Sequence, residues 1–442
     1  MKLELQFSTQ EADNLFAIRG ILSNQHLDKS SGQEQWSSEG LNSQGADTGV
    51  WQTTLRYVIL LPALAPLIYY LLAIYAGRSF FRGKKRLPKI DRSFAPPVSI
   101  LKPVRGVDRE AYENFASMCR VDYPEYEIVF AVAETDDPVI ALIEKLKQDF
   151  PERAIRLIAG IKQTGKSRKT NSLCRLAKEA KHELLVINDS DVRVERDYLW
   201  HVVTPFQDPK VGVVTALFRS KTNGALTSDL DAVGVPTDSS ASTLLAWKFG
   251  KLDFALGWTM AIPKARLREI GGFDALVDMH SDDFALGNMV AKRGYRIEVM
   301  RKAVWMVFPE ERLKGFLSHE LRWMIQLKNL RFLGYLGMFL TFGFAWSLLV
   351  AAIVPSWKVA AAYFAAYLVL RFSVAWLIGV WGLEDPTVRR RPWLTFVRDG
   401  LNLALYMASF FSNTIEWRGV SYRLHGPFLE PVRSVHGHTL AR

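Results

Sequence analysis

The sequence predicts an α/β protein in which a doubly wound, mostly parallel sheet is inserted between transmembrane helices. Three observations carry this. Uncharged apolar runs long enough to cross a bilayer flank a middle region. Within that region, short apolar runs alternate with amphipathic segments. Where the apolar runs end, acidic residues gather, most plainly in Glu183–Val194, ELLVINDSDVRV.

The chain has 442 residues, 49% hydrophobic and 23% charged, with a mean hydropathy near zero. So high an apolar share beside that much charge means that the apolar residues are unevenly spread. Tyr57–Gly77 and Phe332–Trp357 carry no charge, and Val359–Leu383 carries only Arg371. A bilayer core takes about 20 helical residues. The first run reads as a retained span, because it follows a polar segment and no small-residue cleavage pattern comes after it. Residues 1–50 are acidic on balance, whereas Arg78, Arg82, Lys84, Lys85, Arg86 and Lys89 follow the run. Basic residues favour the cytoplasmic side, which places the middle region in the cytoplasm. The net charge of +11 then reads as a collar beside anionic lipid. It clusters at the apolar spans and not along one amphipathic face, which argues against nucleic acid as a partner. Cys119 and Cys174 stand apart without metal-ligand spacing and read as ordinary thiols.

The organisation expected is a polar, disordered segment at 1–50, a transmembrane helix at 55–80 and the α/β domain at 96–310. An interfacial amphipathic helix follows at 311–331, then transmembrane helices at 332–415 and a C-terminal tail at 416–442. Leu401–Phe411 is a short fourth apolar run that either spans or re-enters. Within the domain, VSILKPV reads as a strand, REAYENFASMC as a helix and YEIVFAVAE as a strand. DPVIALIEKLKQDF follows as an amphipathic helix with Ile140, Ile143, Leu146 and Phe150 on one side. AIRLIAG, KTNSLCRLAKEA and ELLVIND then read as strand, helix and strand. Such alternation gives a parallel sheet, and ligands of such sheets sit beyond the carboxyl ends of the strands.

Acidic residues mark those ends: Glu134, Asp136 and Asp137, then Asp189 and Asp191, then Asp282 and Asp283. Arg322 and Trp323 follow in HELRW. Each cluster alone also fits a plainer role. Asp136 and Asp137, or Asp282 and Asp283, would suit the start of a helix, and Arg322 with Trp323 would suit a membrane interface. Gly160–Ser167, GIKQTGKS, matches the phosphate-cradling loop of nucleotide hydrolases. Two strand–helix units precede it, however, where that fold opens with the loop, and the acidic clusters would be left without a role.

Taken together and in this order, the clusters resemble those of membrane-bound inverting glycosyltransferases that use nucleotide sugars. Such enzymes carry three aspartate positions and then a (Q/R)-x-x-R-W motif. The chain is most similar to the ceramide glucosyltransferase family and its bacterial hopanoid glycosyltransferase relatives. SILKPVRGVD, DYPEYEIVFAV with DDP, GGF with DDFALGNMVAKRGYR, and WRGVSYRL carry the resemblance from about Pro97 to Leu424. It implies a GT-A fold and transfer of a hexose, glucose favoured, from a UDP-sugar to a lipid hydroxyl, with ceramide or a hopanoid-like lipid as acceptor. It implies Mg²⁺ or Mn²⁺ at Asp191 and Asp189 to neutralise the departing diphosphate. Asp136 and Asp137 would meet the nucleoside, Lys102 and Lys169 the phosphates, and Asn171 the nucleotide. Asp283, or Asp282, would take the acceptor proton, Arg322 would pair with the diphosphate and Trp323 would pack on acceptor or sugar. The chain departs from the pattern at His319, at Glu134 and in Pro236–Ser242, which lacks the histidine of the animal enzymes.

Overall fold

The computed structural model describes residues 58, 60–84, 91–309, 312–417 and 420–432; the segment 1–50 and Lys85, Arg86 and Lys89 of the basic collar lie outside them. Helix α1 (Leu64–Lys84) begins later than the apolar run. Pro62 shapes a turn ahead of it, with Ala65 N–H bonded to the Pro62 carbonyl at 2.9 Å. Pro66 falls in the first helical turn, where no intrahelical N–H is needed.

Eight strands form one sheet: β1 (Val98–Val104), β2 (Tyr126–Val132), β3 (Ala154–Ala159), β4 (Leu184–Asn188), β5 (Val192–Arg193), β6 (Val211–Lys221), β7 (Thr259–Pro263) and β8 (Arg296–Val307). Their order is β3-β2-β1-β4-β7-β6-β8-β5. The β3-β2-β1-β4 half is parallel, with Val98 level with both Tyr126 and Leu184. Beyond it, β7 runs antiparallel between β4 and β6, and β6 and β8 are again parallel. Strands β2 and β4 are buried along their whole length, as continuous apolar runs require between two helical layers, while edge strand β3 is largely open.

The helices of this domain are α2 (Ala111–Cys119), α3 (Val139–Asp149), α4 (Arg168–Glu179), α5 (Tyr198–Val203), α6 (Leu226–Gly234), α7 (Ser240–Lys248), α8 (Lys264–Glu269) and α9 (Asp282–Lys292). In α3 the buried face is Val139, Ile143 and Leu146, so Ile140 and Phe150 lie at its margin. A wider-wound turn, Val235–Ser239, joins α6 to α7 without a break.

The second half of the chain is helical: α10 (Leu313–Leu330), α11 (Phe332–Met338), α12 (Gly343–Ile353), α13 (Trp357–Val374), α14 (Pro386–Arg390) and α15 (Leu394–Ser409). Among the described residues, Leu64–Arg82 and Trp357–Gly382 are long and apolar enough to cross a membrane. The uncharged run after residue 331 is not one straight helix: α11 and α12 meet at a 62° bend. The cause is Tyr70 of α1. Its hydroxyl stands in the break, donating to the Thr341 carbonyl and accepting from Gly343 N–H, both at 3.3 Å. A side chain that satisfies backbone groups in this way makes a helix break tolerable at apolar depth.

Helices α1 and α13 run parallel. Tyr363 donates to the Ala63 carbonyl, Tyr70 meets Tyr367, Gly77 meets Ile378 and Phe81 meets Gly382. At Gly382 a Cβ would come within 2.3 Å of the Phe81 ring, so only glycine permits this approach. The segment expected as a tail is partly a sheet of β9 (Thr414–Trp417), β10 (Val420–His425) and β11 (Phe428–Pro431). Ile415, Tyr422, Leu424 and Leu429 alternate inward onto Ile325 of α10, a period of two that the charged residues between them obscure.

Asp385 ties the apolar half to the sheet. It caps α14 through Thr387 and Val388 N–H and also accepts from Ser220 N–H and Oγ of β6. Asp385→Ala removes a cap and strands a buried Ser220 N–H, so it should cost about 2–4 kcal/mol, read as a lowered unfolding temperature in detergent.

Candidate functional site

A cavity of about 970 Å³ opens at the carboxyl ends of β1 and β4. Asp189, Asp191, Asp282, Asp283, Lys169, Arg322 and Trp323 all line it. Asp189 and Asp191 do not sit on extended chain. Strand β4 ends at Asn188, and 189–191 is a turn closed by Val192 N–H on the Asp189 carbonyl. Asp282 and Asp283 form the first turn of α9, where the helix dipole favours negative charge. Their capping role and their place in the cavity therefore coexist.

Lys169, in the first turn of α4, joins the two acidic pairs. Its ammonium lies 2.9 Å from Asp189 Oδ1 and 3.4 Å from Asp282 Oδ2. Burial opposes its charge, but Asp189, Asp282 and Asp283 outweigh it and hold the ammonium above the ordinary lysine range. Gly257 makes room for Asp283, since a Cβ there would stand 3.0 Å from Asp283 Oδ2. Burial, and then the charge of Asp282, push the Asp283 carboxyl up to about 6.

The other expected donor residues lie outside the cavity lining. Lys102 is fully buried behind the acidic turn and donates to the Asp189 carbonyl at 2.6 Å. Burial draws its ammonium down to about 8, against the pull of Asp191, Asp189 and Asp108. Asn171 is spent on its own loop. Its Oδ1 accepts from Thr164 and Gly165 N–H, and its Nδ2 donates to the Gly165 and Ser167 carbonyls. That also removes the nucleotide-hydrolase reading of Gly160–Ser167, because two of the amides a phosphate would need are taken. Asp137 accepts from Gly106 N–H and from Val139 N–H at the start of α3, so it fastens the 105–108 loop to that helix. Asp136 is exposed beside it.

Several cavity residues were not singled out from the sequence. Asp108, in the quoted RGVD, accepts from Ser190 Oγ between the two aspartates of the turn. Asp231 of α6 stands 3.6 Å from His319 Nδ1, and Glu320 pairs with Arg398. Asp231, His319 and Glu320 could be taken for a metal cluster. The indole of Trp323, however, donates to His319 Nε2 at 2.9 Å. Indole is a donor only, so the imidazole proton belongs on Nδ1, facing Asp231, and neither nitrogen offers a lone pair to a metal.

The acidic turn is a better seat for a cation. Five carboxylates, of Asp108, Asp189, Asp191, Asp282 and Asp283, face the ammonium groups of Lys102 and Lys169. Asp191 Oδ1 is buried with no hydrogen-bond partner among the described residues. Burial, and then Asp189 and Asp108, push the Asp191 carboxyl up to about 7. Hard carboxylate oxygens with surplus negative charge fit Mg²⁺ or Mn²⁺.

Comparison with known proteins bears on the family and the fold. The model of glycosyl transferase family 21 matches residues 58–427. Ceramide glucosyltransferase 3 of Caenorhabditis elegans is 24% identical over 52% of this chain and 50% of its own length. The poly-beta-1,6-N-acetyl-D-glucosamine synthase of Staphylococcus aureus strain COL is 24% identical over 56% of this chain and 59% of its own. The chain thus spans about half the length of the curated relatives it matches. The mannosyltransferase PcManGT from Pyrobaculum calidifontis, solved in complex with GDP-Man and Mn²⁺, aligns with a TM-score of 0.53 at 20% identity, over 81% of this chain and 99% of that one. That likeness establishes the GT-A type of α/β fold. With a family model that extends from the first helix to the C-terminal sheet, this chain belongs to glycosyl transferase family 21.

Proposed function

We propose that this glycosyltransferase moves a hexose, glucose favoured, from a UDP-sugar to a lipid hydroxyl with inversion, and that ceramide is the leading acceptor. The observation that carries the reading is one cavity shared by the acidic residues and the apolar helices. Asp189, Asp191 and Asp283 line it together with Tyr70 of α1 and Phe342 at the bend of α11 and α12. A hopanoid or other lipid acceptor with N-acetylglucosamine as the sugar is the second reading. The similarity to the poly-N-acetylglucosamine synthase favours it.

Asp191 and Asp189 would hold the divalent ion. When bound there, it supplies charge neutralisation to the leaving diphosphate. Asp283 is the base, and its raised pKa suits it to accept the acceptor hydroxyl proton near neutral pH. Arg322, beside Trp417 at the cavity wall, pairs with the diphosphate as charge develops. Trp323 packs against the sugar or acceptor. Asp137 acts on the nucleoside end by holding the 105–108 loop, and Lys102 acts by propping the Asp189 carbonyl.

The membrane reading follows from helix direction. Because α1 and α13 are parallel and the catalytic domain lies between them in sequence, the chain must return across the membrane before α13. The bent α11–α12 pair supplies that crossing, since Trp346 and Val350 meet Ala63 near the start of α1. Three such crossings would put the domain and Arg389–Arg391 on one side, and the distribution of basic residues supports the cytoplasmic one.

Asp283→Asn should retain UDP-sugar binding within about threefold in calorimetry and lower transfer by about 10²–10⁴-fold. Normal turnover in that variant removes Asp283 as the base. Wild-type kcat/KM should fall about fivefold between pH 6 and pH 5, because the base must be ionised and is titrated near 6. Asp191→Asn should raise the Mn²⁺ concentration needed for half-maximal UDP release by at least tenfold. At position 319, glutamine can accept from the indole and donate to Asp231, whereas alanine can do neither. His319→Gln should therefore keep most activity and His319→Ala should lose it, as measured by UDP release.

A further inference from the structure

One wall of the cavity is a single winding of chain. Helix α6, the wide turn and α7 run on from one another, and Asp231, Val235, Asp238 and Ser242 recur along the cavity side at helical spacing. At about 1.5 Å per residue, roughly 10 Å separates Asp231 from Asp238. Asp231 stands beside His319, at the end of the wall near the R-W motif. Asp238 stands among the apolar helices, against Arg371 of α13 and Asn402 of α15.

The partners of these groups can be counted. Arg371 is 2% exposed. It gives Nε and Nη2 to Asp399 at 2.7–3.0 Å, Nη2 also to Asp238 at 2.5 Å, and Nη1 to the Thr237 carbonyl at 3.3 Å. Asp399 takes the Tyr367 hydroxyl as well, and its side chain is 12% exposed. Asp238 accepts from Arg371, from Asn402 Nδ2 at 3.1 Å and weakly from Thr237 Oγ1, and its side chain stays 34% exposed to the cavity. Asn402 Oδ1 is buried with no partner among the described residues. One guanidinium therefore faces two carboxylates, of which Asp238 is the more exposed to the cavity. Asp238, which is partly exposed to the cavity, is an acceptor, and so is the unpartnered Asn402 Oδ1 beside it.

Ionisable groups at apolar depth are costly and are retained where something uses them. Asp399 alone would suffice to neutralise Arg371, so Asp238 is left for another partner. We propose that Asp238 and Asn402 seat the head group of the lipid acceptor, and that this seat takes a neutral head carrying O–H or N–H donors in addition to the hydroxyl that receives the sugar. The inference rests on the lipid-transfer reading above and narrows it. A phosphorylated lipid head would bring an anion onto the partly exposed Asp238 carboxylate in a low-dielectric setting.

The test uses the full chain in nanodiscs with UDP-glucose, Mn²⁺ and three acceptors: ceramide, which has two hydroxyls and an amide N–H; diacylglycerol, which has one hydroxyl; and a polyprenyl phosphate. Transfer should be fastest to ceramide, at least tenfold slower to diacylglycerol and absent with the polyprenyl phosphate. Asp238→Asn keeps a hydrogen bond to Arg371 and removes the charge, and Asn402→Leu leaves the ion pairs intact. In each, the ratio of transfer to ceramide over UDP-glucose hydrolysis by water should fall about tenfold, with the unfolding temperature recorded for both variants. Preference for the polyprenyl phosphate, or a ratio within twofold of wild type in Asn402→Leu, overturns the proposed seat while leaving lipid transfer standing. UDP-glucose turnover by the wild type with no lipid product overturns both.

Discussion

The Lys169 ammonium is the interaction on which the site depends. It lies between the turn after β4 and the first turn of α9, two places 93 positions apart in sequence, and touches an aspartate of each. Without a cation there, two acidic pairs would face each other across a partly dry cavity. Like charges about 4 Å apart cost on the order of 4 kcal/mol at an effective dielectric constant near 20. The segment that resembles a phosphate loop is what holds this lysine in place. Asn171 folds Thr164–Ser167 back on itself, Ser167 caps α4, and Lys169 then projects from the first helical turn. The loop's conformation thus serves a cation that the protein supplies itself.

Sequence pattern reached the parts of the molecule whose physics is local. Strands β1, β2 and β4 are apolar runs because both of their faces are covered, and Asp189 and Asp191 could be picked out because they stand where such a run ends, Asp282 and Asp283 because they open a helix. Side-chain direction was less accessible. Lys102 and Asn171 have the chemistry of phosphate ligands, yet both are engaged by nearby backbone groups, one propping the acidic turn from behind and the other bracing its loop. Asp137 follows the same rule, with its oxygens taken by two N–H groups.

Other features depend on partners remote in sequence. The bend between α11 and α12 has no proline at its apex. It exists because a tyrosine hydroxyl 271 positions earlier meets the freed backbone groups. The Asp231–His319 contact is equally hidden, since Asp231 joins the His319–Trp323 pair of α10 only when α6 packs beside that helix. The charged set around Arg371 shows a related effect. A lone arginine in an apolar run looks like an interruption, whereas in the fold it is the hub where α13, α15 and the wall of the cavity meet.

The small C-terminal sheet has a consequence in time. Met279 bridges to Phe428, His280 N–H bonds the Pro427 carbonyl and Leu429 N–H bonds the Asp278 carbonyl. These contacts hold the segment that leads directly into Asp282 and Asp283, and they come from residues that follow α1 and α11–α15. During synthesis the α/β domain emerges well before them. The segment that leads into Asp282 and Asp283 gains these backbone partners only after the later helices have been made, so completion of the cavity is tied to the order in which the ribosome delivers the apolar half.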